Sequence, residues 1–286
     1  MDERTKDPLR ILAPNPSPLT GLGTTTFLLG GRDVVVIDPG PDHPGHLAAI
    51  VEAGQGRISQ IIVTHAHLDH SAGAPRLSQM TGAPVLAFGG ALSGRSPMMR
   101  RLADEGVGGG EGLDLSFAPD IVLQDGQVIE GDGWHLTALH TPGHSGGHVS
   151  LLWVDQIFCG DVVMGWSSTI ISPPDGDLAD YLRSLDRLAH HQPRRLLPAH
   201  GEAITDPQAR LSDLAAHRRQ RSAQILTALR DGPADAASLA ARIYEVAPAL
   251  MPAAARNVLA HLLALADLGA VVPLDVLGAN TRFMSL

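Results

Sequence analysis

Cysteine is almost missing from this 286-residue chain. Cys159 stands alone, which excludes an internal disulfide and a thiolate cluster. Its apolar setting, "DQIFCGDVV", reads as a buried structural thiol rather than a nucleophile. Lysine is as scarce, with Lys6 alone among 21 basic residues. Arginine and lysine are not physically equivalent, and no functional reason would apply at every position at once, so this reads as genome composition. Aromatic residues make up 3%, which leaves few platforms on which bases could stack. No apolar segment approaches the roughly 18 residues of a bilayer span. The opening "MDERTKDPLR" is charged throughout, unlike a secretory signal. Positive charge is not in surplus either: the formal net charge of −9 gives no general affinity for nucleic acid. These absences lead to the expectation of a cytoplasmic protein without membrane association.

What is present describes a loop-rich globular chain, 44% hydrophobic and 18% charged, with 31 Gly and 21 Pro. From residue 24 the pattern reads strand, strand, helix, strand: "TTTFLLGG", "RDVVVIDPG", "HPGHLAAIVEAGQ" and "RISQIIVTH", with "APVLAF" following. Residues 89–118 are glycine-rich without sustained periodicity and read as a long loop, either functional or mobile. Strand signals resume with "QVIEGDGWHLTALHTPGHS", whose Asp-Gly suggests a hairpin turn. "GGHVSLLWVDQIFCGDVVMG" reads as a second hairpin. A helix over 177–190 with Asp177 as N-cap and a short strand in "RRLLPAHG" complete an α/β layer pattern. Beyond about residue 207 three helices and a terminal β-ribbon make a winged helix-turn-helix arrangement. The expected division is 1–206 for a catalytic domain and 207–286 for a winged-helix-like domain.

The densest chemistry lies in "IIVTHAHLDHSAGA", where His65, His67, Asp69 and His70 follow an apolar strand. His65 and His67, two apart, can converge on one ion, and Asp69 and His70 can hold a second. Imidazole with carboxylate suits Zn²⁺ best, with iron or manganese as alternatives. Four donors cannot complete two open catalytic centres, and further candidates stand at later strand ends: His144 in "HTPGHSGGH", Asp161 in "FCGDVVMG" and His200 in "LLPAHGE".

The order of Asp38 in "VIDPG", "THAHLDH", His144, Asp161 and His200 resembles the metallo-beta-lactamase superfamily across roughly residues 20–205. That resemblance implies an αββα sandwich with metals at one edge of two facing sheets. Carried over, it implies His65, His67 and His144 on a first metal, and Asp69, His70 and His200 on a second. Asp161 would bridge both ions, and Asp38 would orient the loop from behind. "NPSPLTGLGTTTFLLG", "GWSSTIISPPDGDLADYLRSL" and "HRRQRSAQIL" before a winged helix are further similar to the beta-lactamase-like protein 2 subfamily.

The implied function is a metal-dependent hydrolase with two zinc ions, in which metal-bound hydroxide attacks and Asp69 and Asp161 are the catalytic carboxylates. Resemblance to that subfamily, with Arg95, Arg100, Arg101, Arg218, Arg219 and Arg221 as candidate phosphate contacts, points to phosphodiester cleavage in single-stranded RNA. The alternative is an acyl hydrolase, acting on a thioester or lactone as in glyoxalase II-type relatives, although Ser71-Ala72-Gly73 replaces their usual Gly-Gly. A third reading is a DNA-binding regulator with a metal-sensing domain. Its groove helix would carry Arg256 as sole fixed cation, so no specific duplex DNA is expected. His148 is a candidate general acid that could instead pair within its hairpin. His43, His46, His190, His191, His217 and His261 read as surface or capping residues. Trp134 and Trp153 read as core, and Trp166 as a candidate pocket wall.

Overall fold

The computed structural model describes residues 7–110 and 112–286. Lys6 with the rest of the charged N-terminus before Asp7, and Glu111 of the glycine-rich segment, lie outside the described residues.

A six-stranded sheet runs in order β1 (Leu9–Leu12), β2 (Thr25–Gly30), β3 (Val34–Ile37), β4 (Ile58–Ile62), β5 (Val85–Ala87) and β6 (Ile121–Val122). From β3 onward the pairings are parallel, with the helices α1 (Pro44–Gly54), α2 (Leu68–Ser71), α3 (Ala74–Thr81) and α4 (Pro97–Asp104) in the connections. Parallel strands covered on both faces need apolar residues at every position, which is why "VVVI" shows no alternation. Val34 and Val36 meet Leu47 and Ile50 of α1 and Leu77 of α3, while Val35 and Ile37 face inward.

The second sheet has β7 (Val128–Gly131), β8 (Trp134–His140), β9 (Val149–Trp153), β10 (Gln156–Gly160) and β11 (Arg195–Pro198), in the order β11-β10-β9-β8-β7. Phe27, Val35 and Ile62 interleave with Leu136, Trp153 and Phe158 to form the core between the sheets. The far face is covered by α5 (Leu178–His190) and the first half of α6 (Pro207–Leu229), through residues such as Tyr181, Leu185, Leu211 and Leu214. The layers are therefore α, β, β, α. As expected, Asp177 caps α5, accepting from Ala179 N and Asp180 N.

The second half of α6 passes Ile225 and Leu229 into a different core. There it joins α7 (Ala236–Ile243), α8 (Met251–Asp267) and the ribbon of β12 (Val271–Pro273) and β13 (Phe283–Ser285), which completes a winged helix. One helix thus belongs to two cores. Pro248–Asp267 corrects the expectation that no apolar segment approaches a bilayer span: by length and composition this helix is long and apolar enough to cross one. Its Val258, Leu259, Leu262 and Leu263 are buried in this core.

Residues 89–118 correct the expectation of a structureless loop. Pro97–Asp104 is helical, with Ser96 as N-cap accepting from Met99 N and Pro97 in the first turn. Its Met99 and Leu102 enter the C-terminal core. Two turns are too short to establish a period. The short β1 and β6 and helix α3 also escaped the sequence pattern.

Candidate active site

Every donor predicted from the sequence stands just after a strand: Asp38 after β3, the 65–70 group after β4, His144 after β8, Asp161 after β10 and His200 after β11. The sheet edge brings them together. His65 Nε2 lies 2.9 Å from His67 Nδ1, and His144 Nε2 lies 3.1 Å from the same atom. His200 Nε2 is 3.3 Å from both Asp69 Oδ2 and Asp161 Oδ2. His70 Nε2 is 3.5 Å from Asp69 and 3.6 Å from Asp161 Oδ1. Three groups of donors, each within 4.8 Å, result: His65, His67 and His144; His65, His70 and Asp161; Asp69, His70 and His200.

Hydrogen bonds behind the site decide which ring nitrogens face inward. Asp38 Oδ1 accepts from Thr64 N at 2.8 Å, and its Oδ2 accepts from Thr64 Oγ1 at 2.9 Å and from His70 Nδ1 at 3.0 Å. Because the Thr64 hydroxyl proton goes to Asp38, its oxygen accepts from His65 Nδ1. His144 Nδ1 donates to Ile170 O at 2.8 Å, and His200 Nδ1 to Gly23 O at 3.2 Å. The Nε2 lone pairs of His65, His70, His144 and His200 are thereby left pointing into the cluster.

His70 Nε2 and Asp161 Oδ1 are buried without a hydrogen-bond partner, an arrangement that is costly in a protein interior. Lone pairs of imidazole and carboxylate converging this closely repel one another unless protons or a metal cation sit among them. The donor set fits divalent metal ions.

The charge balance says the same. Burial would disfavour the His70 cation, but Asp69, Asp161 and Asp38 outweigh it and raise its pKa well above the ordinary value. Burial opposes the His200 cation too, yet Asp161 and Asp69 push its pKa up to about 10. For His65 and His67 the support from Asp161 and Asp69 is outweighed. Burial and the neighbouring imidazoles hold the His65 pKa far down, and burial with His144 and His70 lowers that of His67 to about 3. One side of the cluster therefore attracts positive charge, and the other offers neutral nitrogen ligands.

Several supporting residues had no sequence signal. Thr24 Oγ1 donates to Asp69 Oδ2 and is held by Asn15. The single hydroxyl proton of Ser71 is shared between Asp114 Oδ2 and His67 O, each 3.0 Å from its Oγ. These are common polar residues, recognisable only once the chain has folded. Gly160, at φ +47°, has a positional signal: a Cβ there would lie 2.4 Å from His148 Nε2.

Other expectations need correcting. His148 is not poised as a general acid. It is fully buried, its Nδ1 pairs with Thr141 Oγ1 and its Nε2 accepts from Asp161 N, so it shapes the backbone of Asp161. His43 caps α1 as expected, but His46 is buried against Thr26 Oγ1, and His261 is buried against Ser222 Oγ. Arg95 is paired with Asp175 and largely covered. Arg218 is buried under the C-terminal helices, and Arg221 lies over the Tyr244 ring at 4.0 Å. Arg100, Arg101 and Arg219 are exposed. Trp134 and Trp153 are core residues, whereas Trp166 is 51% exposed. Trp166 packs beside Gly21 and Gly201, the latter adjacent to His200.

Residues 19–200 match the sequence profile of the Metallo-beta-lactamase superfamily, and residues 236–275 that of the Beta-lactamase associated winged helix domain. The chain is 31% identical over 270 residues to a Drosophila melanogaster Beta-lactamase-like protein 2 homolog, covering 90% of this chain and 87% of that protein. It is 32% identical over 229 residues to the Aspergillus chevalieri Atrochrysone carboxyl ACP thioesterase, covering 78% and 66%. Among solved structures, a metallo-beta-lactamase family protein from Thermus thermophilus superposes with a TM-score of 0.77 at 26% identity, over 98% of both chains. Another, in a di-iron-bound form, gives a TM-score of 0.53 at 27% identity over 73% of this chain and 96% of its own.

Proposed function

The chain belongs to the metallo-beta-lactamase superfamily and is a hydrolase of that fold, and from this premise we propose that it is a two-zinc hydrolase of acyl substrates, thioesters foremost. His65, His67 and His144 would hold one ion and Asp69, His70 and His200 the other, with Asp161 between them. When bound, such a pair lowers the pKa of water toward neutrality and draws negative charge from the attacked centre. The chain's own residues do the rest. Asp161 is held by its backbone bond to His148, and its side chain is buried among His70, His144 and His200. Asp69, steadied by Thr24 and 28% exposed, stands where it can hold a proton of the attacking water. Buried backing from Asp38, Ile170 O and Gly23 O orients the rings of His70, His144 and His200 with Nε2 toward the cluster.

What supports the acyl reading is exposed apolar side chains on the segments that carry the donors. Trp166 is half exposed and packs beside Gly201, which follows His200; Leu22, 80% exposed, precedes in the chain the Gly23 whose carbonyl holds His200; and Leu68 is exposed between His67 and Asp69 in the chain. An acyl chain would gain contact there. Arg95 and Arg218, which could have met phosphates, are engaged inside the protein. The likeness to a protein named as a thioesterase supports this choice. Zinc is the metal this nitrogen-and-oxygen set suits best, and the di-iron-bound neighbour keeps iron as the alternative.

The second reading, cleavage of single-stranded RNA, draws on exposed Arg100, Arg101 and Arg219 and on Trp166 as a stacking surface. The regulator reading has little support: Arg256 of α8 donates to Gly109 O rather than standing free. The test is a zinc-loaded protein assayed side by side on a thioester, a lactone, a bis-aryl phosphodiester and single-stranded RNA. Thioester turnover without RNA cleavage supports the proposal, and the reverse pattern displaces it.

A further inference from the structure

Arg218 presents an anomaly. Its side chain is 1% exposed, and it has no carboxylate partner among the described residues. A buried guanidinium without a counter-charge is costly and calls for a compensating role. Its contacts run in two directions. Toward the C-terminal domain, Nη1 donates to Asn257 Oδ1 of α8 at 2.9 Å, and Asn257 Nδ2 donates to the Tyr244 hydroxyl at 2.8 Å. Toward the metal site, Nη2 donates to Thr169 O.

Thr169 and the residue after it are the backing of His144. Thr169 Oγ1 is 3.2 Å from His144 Nδ1, and Ile170 O accepts the proton of that nitrogen. The Tyr181 ring, 5.3 Å from the guanidinium carbon, adds a cation–π surface. Two turns earlier on α6, Arg210 Nη2 donates to Met164 O at 3.0 Å, so the same helix anchors the start of this loop as well.

We propose that Arg218, braced by Asn257, is a positioning residue: it pins the Thr169–Ile170 peptide and thereby the ring plane and tautomer of His144, so that the winged helix sets the affinity of the first metal site. The winged helix then contributes to the metal centre without touching it. This inference rests on the reading of His144 as a metal donor.

The test uses full-length metal-free protein titrated with cobalt(II), following its visible absorption to resolve the two sites, with thermal unfolding of each metal-free variant alongside. Asn257→Leu keeps the branching of the side chain and removes the acceptor of Arg218, and it should weaken binding at the His65, His67 and His144 site by about tenfold or more. Affinity at the Asp69, His70 and His200 site should be unchanged. Asn257→Asp retains an acceptor and should restore first-site affinity. Arg218→Met should match Asn257→Leu; if it does not fold, the two Asn257 variants decide. Unchanged first-site affinity in Asn257→Leu overturns the relay. So does equal weakening of both sites together with a lowered Tm, which would mark a general loss of stability. His144→Ala separates the premise: if it binds cobalt as the wild type does, the metal assignment itself fails, not the relay.

Discussion

His70 and Asp38 form a buried pair, Nδ1 to Oδ2 at 3.0 Å, and Asp38 reaches it with its backbone at φ +52°. Asp38 also accepts from the Thr64 amide and hydroxyl, so one carboxylate ties β3 to the donor loop after β4. Asn tolerates this left-handed conformation, so Asp38→Asn changes the chemistry while keeping the backbone. Its amide would turn a donor toward the Thr64 hydroxyl and His70. The expected outcome is a 10- to 100-fold loss of metal affinity at the site containing His70, read by chelator competition.

Proton release should differ between the two sites. In the metal-free protein Asp69 and Asp161 raise the pKa values of His70 and His200, that of His200 to about 10, which favours protonated rings at pH 7. His65 and His67 are neutral there, with His67 lowered to about 3. Ligation requires neutral imidazole. Filling the Asp69, His70 and His200 site should therefore release about two protons, and its affinity should fall as pH drops. The other site should release none from His65 or His67. Calorimetry in buffers of different ionisation enthalpy measures both.

Much of this arrangement could be read from the chain. The His-x-His-x-Asp-His cluster announces its chemistry by density, and His144, Asp161 and His200 were recognisable because each follows an apolar strand. Continuous runs such as "VVVI" gave away buried strands. What could not be read depends on distant partners. Thr24, Asn15 and Thr169 are ordinary polar residues until folding places them behind Asp69 and His144. Arg218 and Arg95 looked like surface cations, since nothing local distinguishes a solvated arginine from a buried one. The helix at 97–104 is legible only through its Ser-Pro start, because its stabilisation comes from a core some 120 residues or more away in the chain.

Trp166 should govern substrate affinity more than rate. Trp166→Ala removes ~1.5 kcal/mol of apolar contact, on the order of tenfold in KM for a thioester with an apolar acyl chain. The change in kcat should stay within about twofold, since no interaction special to the transition state is lost. Gly201→Ala should disturb the same surface, because its Cβ would lie 2.8 Å from the indole Cδ1 at a φ of +89°. Steady-state kinetics on a series of acyl lengths checks both.

Cys159 should be inert in the native protein. Burial pushes its thiol pKa up, Asp161 beside it adds to that, and Sγ donates to Val163 O. A thiol reagent should label it only after unfolding and should leave turnover of the native enzyme unchanged.

The most direct measurement is metal content and turnover of Asp161→Ala beside the wild type, by elemental analysis after zinc loading. The account predicts two ions per chain in the wild type. In the variant it predicts loss of the paired centre and at least about a hundredfold lower turnover, because Asp161 lies among His70, His144 and His200. A variant that keeps two ions and full turnover would contradict it.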